Sequence, residues 1–511
     1  MLVKTYSSSV FGIDADIVTC EINCSQGIRI LIVGMPDVSV KESRDRIHSA
    51  ITQVGYKFPR QQIIINLSPA DIKKEGTHFD LPIAIGILAA SEAILKDKLS
   101  DYILVGELSL DGTVQSVKGV LSIALKAKEK GFKGIIVPRC NSAEAAMVDN
   151  IEVLACDNLK QVIKFFNNSE SLDLININPE IIFNEERDEY DLDFNEVKGQ
   201  ENVKRAFEIA AAGFHNILLI GPPGSGKTMM AKRLPTILPS LSLEESLETT
   251  KIHSIAGKTG RNGLITKRPF RSPHHTISSV ALIGGGASPA PGEFSLAHNG
   301  VLYLDELPEF SQKVLEVMRQ PLEDRKICIA RAKQTVTYPA GLMLVASMNP
   351  CPCGYFNHPT KSCQCMIKDV KKYMNKISGP LLDRIDIQIE TTPLGFDIIS
   401  KKEKSESSVE IRKRVIEARK IQHERFKNEK GIYSNAQMTP RLLSKFASPD
   451  KESLEWLKQA MVSFSLSARA YDRILKVSRT IADLDKSEFI TSKHIKEAIN
   501  YRILDKENWI E

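Results

Sequence analysis

Short apolar runs alternate with longer stretches of helical period over the first third of the chain. The runs at 30–33, 63–65 and 134–137 are rich in Ile and Val and too short for helices. Runs of that length and composition predict strands buried on both faces. Between them, 40–54 and 79–93 carry helical patterns. A second series begins near Val197, with strand-like runs at 216–220, 301–304 and 342–346. Beyond Pro393 the strand pattern stops. Helical period then continues over 408–428, 453–464, 468–482 and 492–502.

Composition changes this picture in one place. Residues 173–196 carry nine acidic side chains against one Arg, with Asn and Pro among them, which predicts a solvated linker. The expected division is therefore an α/β domain at 1–168, an acidic linker at 169–196, a second α/β domain at 197–392 and a helical domain at 393–511. A chain of 511 residues suits three domains at roughly 150 residues each. With 42% hydrophobic and 26% charged residues the balance is that of a soluble globular protein. No apolar run reaches the roughly 18 residues of a membrane span. The N-terminus lacks a signal peptide's apolar core and small-residue cleavage site, so the reading is cytoplasmic with no membrane partner. The net charge of +5 is compatible with a nucleic-acid partner without demanding one. The odd count of nine Cys argues against a disulfide scaffold.

The chemistry starts at Gly221-Pro222-Pro223-Gly224-Ser225-Gly226-Lys227-Thr228, which follows an apolar strand and precedes a helical stretch. Glycines there let backbone N–H groups turn towards phosphate oxygens, and the helix N-terminus adds positive potential. Lys227 would reach the β- and γ-phosphates of ATP, and Thr228 would give its hydroxyl to Mg²⁺. The run 301–304 ends in Asp305-Glu306, a Walker B pattern. Asp305 would hold the Mg²⁺ through water, and Glu306 would act as general base on the attacking water. The strand at 342–346 leads to Asn349, placed to stand between Glu306 and the γ-phosphate; a turn cap before Pro350 is the other reading. Arg384, in the run 378–386, fits a cation that stabilises γ-phosphate charge from a neighbouring subunit, or else a salt bridge to Asp383 or Asp386. Arg469 opens a helix and can bend back to the phosphates or stand as an exposed structural Arg. The adjacent His274 and His275 read as structural hydrogen-bonding groups with no catalytic role.

Four cysteines cluster as Cys351-Pro-Cys353 and Cys363-Gln-Cys365. Four thiolates close a tetrahedral zinc shell with no open position, so a metal here would be structural Zn²⁺. Four reduced thiols in a loop is the alternative. The remaining cysteines read as structural.

With these motifs in place the chain resembles the YifB/ComM family of magnesium-chelatase-like AAA+ proteins over nearly its whole length. The carrying stretches are 197–200, the P-loop, 268–276, 284–293, 302–309 and 378–386. The resemblance implies a P-loop AAA+ α/β domain with an α-helical lid. It places Val197, Gly199 and Gln200 with the P-loop around ATP, Arg384 as an arginine finger acting in trans, and Arg469 as a sensor 2 residue. It also implies a hexameric ring, with the segment 283–293 as an insertion at the central pore. The N-terminal domain resembles the Lon-protease-like fold through 74–84 and 105–115. That pattern has a nucleophilic Ser where this chain has Asp80, and its Lys would fall near Leu121 to Ile123, so the domain reads as proteolytically dead. By resemblance the motor is a DNA helicase promoting branch migration in the recombination of incoming DNA. Basic segments at Lys371-Lys372, Lys401-Lys402, Arg412-Lys413-Arg414 and Arg419-Lys420 would track the phosphate backbone. A metal-insertion motor of the magnesium-chelatase type and an ATP-binding regulator without turnover are the alternatives.

Overall fold

The computed structural model describes residues 2–186, 190–260, 263–286, 289–331, 334–393, 395, 405–464, 466–502 and 504. The N-terminal part is built on a long antiparallel pair, Leu2–Phe11 and Asp14–Ser25, in register from Leu2 opposite Asn23 to Phe11 opposite Asp14. These strands sit inside an eight-stranded mixed sheet. Outward from Leu2–Phe11 run Tyr102–Leu104, Gly134–Pro138, Glu152–Cys156 and Asp173–Ile175; outward from Asp14–Ser25 run Gln62–Ser68 and Ile30–Val33. The helix Asp80–Ala90 is apolar all round and every one of its residues is buried, as a helix in the middle of a core must be. Ile30–Val33 departs from the expected doubly buried strand, since Leu31 and Val33 are each 46% exposed. It is the edge strand of the sheet, so only one of its faces is covered.

Asp80 is buried at the start of that helix and paired with Arg46, whose Nε and one terminal nitrogen donate at 2.7 and 3.0 Å. Burial pushes its carboxyl up to about 6 against the opposing pull of Arg46. Leu121 and Ile123 are buried core residues. Arg46→Met leaves this carboxylate without its cation, so urea denaturation of the variant is expected to show a loss of about 3 kcal/mol.

The acidic segment is mostly exposed, as its composition predicts, but parts of it take regular structure and dock on the fold. Asp173–Ile175 adds antiparallel to Glu152–Cys156, and Pro179–Glu186 is a helix with Phe183 buried. Farther on, Phe194 is fully buried, and the Asp193 carboxylate accepts from the N–H of Ser408 at 3.0 Å. A handful of apolar anchors is enough to dock a chain, and charge counting averages them away.

The second sheet is all parallel, in the order Phe270–Arg271, Val301–Leu304, Met343–Met348, Ile217–Ile220, Ile387–Glu390. Its three central strands are buried throughout, as parallel strands covered by helices on both faces are. All their C-terminal ends lie on one edge, where open α/β sheets bind ligands. That edge collects Gly221, Asp305, Asn349 and Thr391.

The helical part comprises Ser408–Phe426, Pro440–Phe446, Lys451–Ser463, Ala468–Leu484 and Ser492–Asn500. Ser408–Phe426 starts at a capping box between Ser407 and Glu410 and buries Ile411, Val415, Ala418, Gln422 and Phe426 along one stripe. Between these helices and the parallel sheet lies a buried polar chain absent from the sequence reading. His215 meets Asp386 at 3.1 Å and Thr480 at 2.8 Å, and Arg473 donates to Asp386 at 2.7 Å. Asn435 then bridges Thr480 and Asp483, at 3.1 and 2.8 Å. The cationic and hydrogen-bonding partners hold the Asp386 carboxyl far below the usual range despite its burial. Three arginines of the basic segments expected to track phosphate have partners within the fold. Arg412 bonds to Ser240, Arg414 pairs with Glu208 and Glu406, and Arg419 lies over the Phe214 ring. Lys371, Lys372, Lys413 and Lys420 are exposed, and Lys401-Lys402 lie outside the described residues.

Candidate nucleotide site and cysteine cluster

The strand Ile217–Ile220 delivers the chain into a tight loop and then the helix Lys227–Ile237. Two glycines make the loop. A Cβ on Gly221 would lie 2.0 Å from Thr391 Oγ1, and Gly226 takes a left-handed φ of +84° at the helix N-cap. Ser225 shares a hydrogen bond of 2.8 Å with Thr391, tying the loop to the strand Ile387–Glu390 beside it. Gln200, also left-handed with φ +56°, donates from its amide to Ser225 O at 2.8 Å, so its side chain adjoins the loop. Gly224 opens to free space, while Pro223 packs against Gly354.

Lys227 folds its ammonium back onto the carbonyls of Gly221 and Pro222, at 2.7 and 2.9 Å, with the Asn349 side-chain oxygen at 3.4 Å. Burial lowers its affinity for the proton, and the charges of Asp305 and Glu306 work against that. Thr228 donates to Asp305 at 3.0 Å, and its hydroxyl also meets the Tyr303 hydroxyl at 3.0 Å. Ser347 donates to the other Asp305 oxygen and meets Tyr303 at 3.0 Å. Burial raises the Asp305 carboxyl, but the hydroxyls of Ser347, Tyr303 and Thr228 outweigh it and hold it below its ordinary value. An ionised carboxylate beside a Thr hydroxyl is a hard oxygen pair of the kind that takes Mg²⁺. Tyr303 and Ser347 escaped the sequence reading; the available signal was a hydroxyl inside each of two otherwise apolar strands.

Glu306 adopts a left-handed φ of +53°, unusual for a non-glycine residue, and its side chain is 54% exposed. It therefore points out of the protein at the strand end rather than into the core. The structure pairs Lys227 with Asn349 and Thr228 with Asp305, and Glu306 follows Asp305 directly.

Arg384 and Arg469 stand apart from that group. Arg384 pairs with Glu323 and donates to Pro380 O at 2.6 Å, so neither expected bridge, to Asp383 or Asp386, forms. Its Nε is buried without a hydrogen-bond partner. Arg469 is 64% exposed at the start of Ala468–Leu484 and stands 3.8 Å from Asp383. The segment 283–293 forms a short hairpin, Gly284–Gly285 with Ala290–Pro291, between two helices. Residues 287 and 288 of that segment lie outside the described residues.

Cys351, Cys353, Cys363 and Cys365 converge just past Asn349, their sulfurs all within 4.8 Å of one another. Three of the separations are 3.3, 3.5 and 3.6 Å. Four thiolates about 2.3 Å from a tetrahedral ion stand about 3.8 Å apart, so the group is close to metal geometry. Burial opposes ionisation of Cys353, but N–H groups of Tyr355 and Gln364 bring its thiol down to about 6, while burial pushes Cys365 up to about 12. Four cysteine sulfurs at this spacing suit a thiophilic metal.

Three family models match the chain: "Magnesium chelatase, subunit ChlI" over residues 193–397, "Subunit ChlI of Mg-chelatase" over 20–141, and "Magnesium chelatase, subunit ChlI C-terminal" over 405–502. The Escherichia coli protein YifB, itself described as uncharacterized, is 43% identical over 98% of this chain and 97% of its own length. Competence protein ComM of Haemophilus influenzae is 41% identical over 98% of each chain. Two matches are local. Lon protease 2 of Bacillus subtilis is 30% identical over 24% of this chain and 22% of its own. The Holliday junction branch migration complex subunit RuvB of Thermosipho melanesiensis is 25% identical over 27% of this chain and 36% of its own.

Proposed function

The chain belongs to the YifB/ComM family of magnesium-chelatase-like AAA+ proteins, and from that premise we propose that it is an ATP-hydrolysing ring motor that drives branch migration of DNA during recombination of incoming strands. The observation that carries the ATPase part is the pairing of Lys227 with Asn349 and of Thr228 with Asp305 at one sheet edge.

Lys227 trades its carbonyl partners for the β- and γ-phosphate oxygens, and the loop N–H groups cradle the rest. Thr228 and Asp305 would hold Mg²⁺, which neutralises phosphate charge when bound. Glu306 takes a proton from water as its oxygen attacks the γ-phosphorus and the bond to the β-phosphate oxygen breaks, giving ADP and phosphate. Asn349, held by Lys227, orients that water. Arg384 reaches the γ-phosphate of the adjacent subunit, and Arg469 reaches the phosphates of its own. The trans contact calls for a ring, with six subunits by resemblance.

The DNA part rests on relatives: one is named a competence protein and another a branch-migration subunit. The insertion hairpin is assigned to the DNA strand. The N-terminal domain is assigned a Lon-like fold that binds DNA or ring neighbours without cleaving peptides, since Asp80 is buried against Arg46 where a nucleophile would stand. Measuring ATP turnover without DNA, with single strands, duplex and a four-strand junction across a salt series tests this reading. Stimulation by the junction that fades with salt is expected. No response to any DNA at low salt refutes the DNA role, and a metal-insertion motor of the chelatase type would behave that way.

Cys351, Cys353, Cys363 and Cys365 would hold structural Zn²⁺, fixing the chain that follows Asn349. Metal analysis of purified protein is expected to find one zinc per chain, and Cys353→Ser is expected to lose it. Absence of zinc from protein purified without chelator refutes the assignment.

A further inference from the structure

The chain leaves the strand Met343–Met348 through Asn349 and Pro350 and enters the cysteine loop at once. The described residues 351–366 form turns, with neither helix nor strand. A segment without a backbone ladder takes its order from cross-ties, and here the converging sulfurs supply them. Backbone already gathers on those sulfurs. Phe356 N–H donates to Cys351 Sγ at 3.3 Å, and Cys365 N–H donates to Cys363 Sγ at 3.4 Å.

This loop lies against the phosphate loop in three places. Gly354, directly after Cys353, has a left-handed φ of +82° and closes a turn on Cys351 O at 3.0 Å. Its backbone faces the Pro223 ring so closely that a Cβ on it would stand 2.7 Å from Pro223 Cδ. Farther along, Phe356, Asn357 and His358 line a small cavity together with Gly221 and Pro222. At the root of the loop, Asn349 reaches the Lys227 ammonium at 3.4 Å. On its other side the phosphate loop is open, since a Cβ on Gly224 would meet nothing within 4 Å.

We propose that the cysteine loop is a metal-set brace for the phosphate loop, so that Zn²⁺ and ATP each tighten the binding of the other, with Gly354 and Pro223 as the joint. The inference rests on the zinc and nucleotide readings above. Four ligands fix Cys353 and with it the turn that sets Gly354 on Pro223. Without the cross-tie, ATP must order both loops on binding, and the lost backbone freedom costs affinity. Coupling between two binding sites is reciprocal, so ATP that orders the phosphate loop also favours the shape that takes the metal.

The test titrates Zn²⁺ against a chromogenic chelator on the full chain, with and without a non-hydrolysable ATP analogue and Mg²⁺. The analogue is expected to raise zinc affinity about tenfold, and stripping zinc is expected to weaken analogue binding by the same factor. Pro223→Ala keeps all four cysteines and removes most of the contact. It is expected to retain zinc while the coupling falls below about twofold. Lys227→Ala, which lacks the ammonium for phosphate, is expected to show no effect of the analogue on zinc. A zinc affinity unmoved by the analogue in wild type overturns the inference, as does full coupling in Pro223→Ala or an equal shift in Lys227→Ala. Wild type that takes up no zinc would instead sink the zinc reading, and wild type that binds no analogue the nucleotide reading, so these failures are distinguishable.

Discussion

Glu306→Gln is expected to bind ATP as tightly as the parent and to hydrolyse it roughly a thousandfold more slowly, a loss within the range for removing a positioned general base. The geometry makes the separation clean. Glu306 lies outside the contacts of Lys227 and Thr228, and its side chain is more than half exposed, so the amide changes neither the phosphate cradle nor the core. A fluorescent ATP analogue measures binding, and phosphate release measures turnover. Undiminished turnover in the variant would remove Glu306 from the mechanism.

Arg384→Ala is the second large effect. An arginine supplied to a neighbour's γ-phosphate is worth about 10³-fold or more in turnover, and a loss of that size is expected with ATP binding intact. The fold should tolerate it. The partner carboxylate, Glu323, has a side chain 60% exposed and is left in water, where losing an ion pair costs little. The Arg384 Nε has no partner to abandon. Melting temperatures within a few degrees of the parent, beside the collapse in turnover, would separate a reaction role from a structural one. A turnover loss of only a few-fold would return Arg384 to a local ion pair.

Lys227 and Thr228 were legible as candidates because a glycine-rich loop leads from an apolar strand into a helix, and Asp305 and Glu306 because they directly follow another apolar strand, so short-range pattern and chemistry coincide. Strands such as Val301–Leu304 were legible for the same reason. The docking points of the acidic segment were not legible because its composition hides Phe183 and Phe194. The partners of Arg412, Arg414 and Arg419 were not legible, because a charge run does not say which charges pair within the fold. The His215–Asp386–Arg473 group joins residues far apart in the chain, and no periodicity connects them. Tyr303 and Ser347 lay inside runs read only as apolar, so their reach to Thr228 and Asp305 needed coordinates.

The claim that each site is completed by its neighbour is tested most directly by mixing two inactive proteins. Glu306→Gln supplies an intact Arg384, and Arg384→Ala supplies an intact Glu306. Co-assembled, the pair should recover ATP turnover that neither shows alone, because some interfaces regain both groups. A mixture that assembles into rings and stays as inactive as its parts would contradict the account.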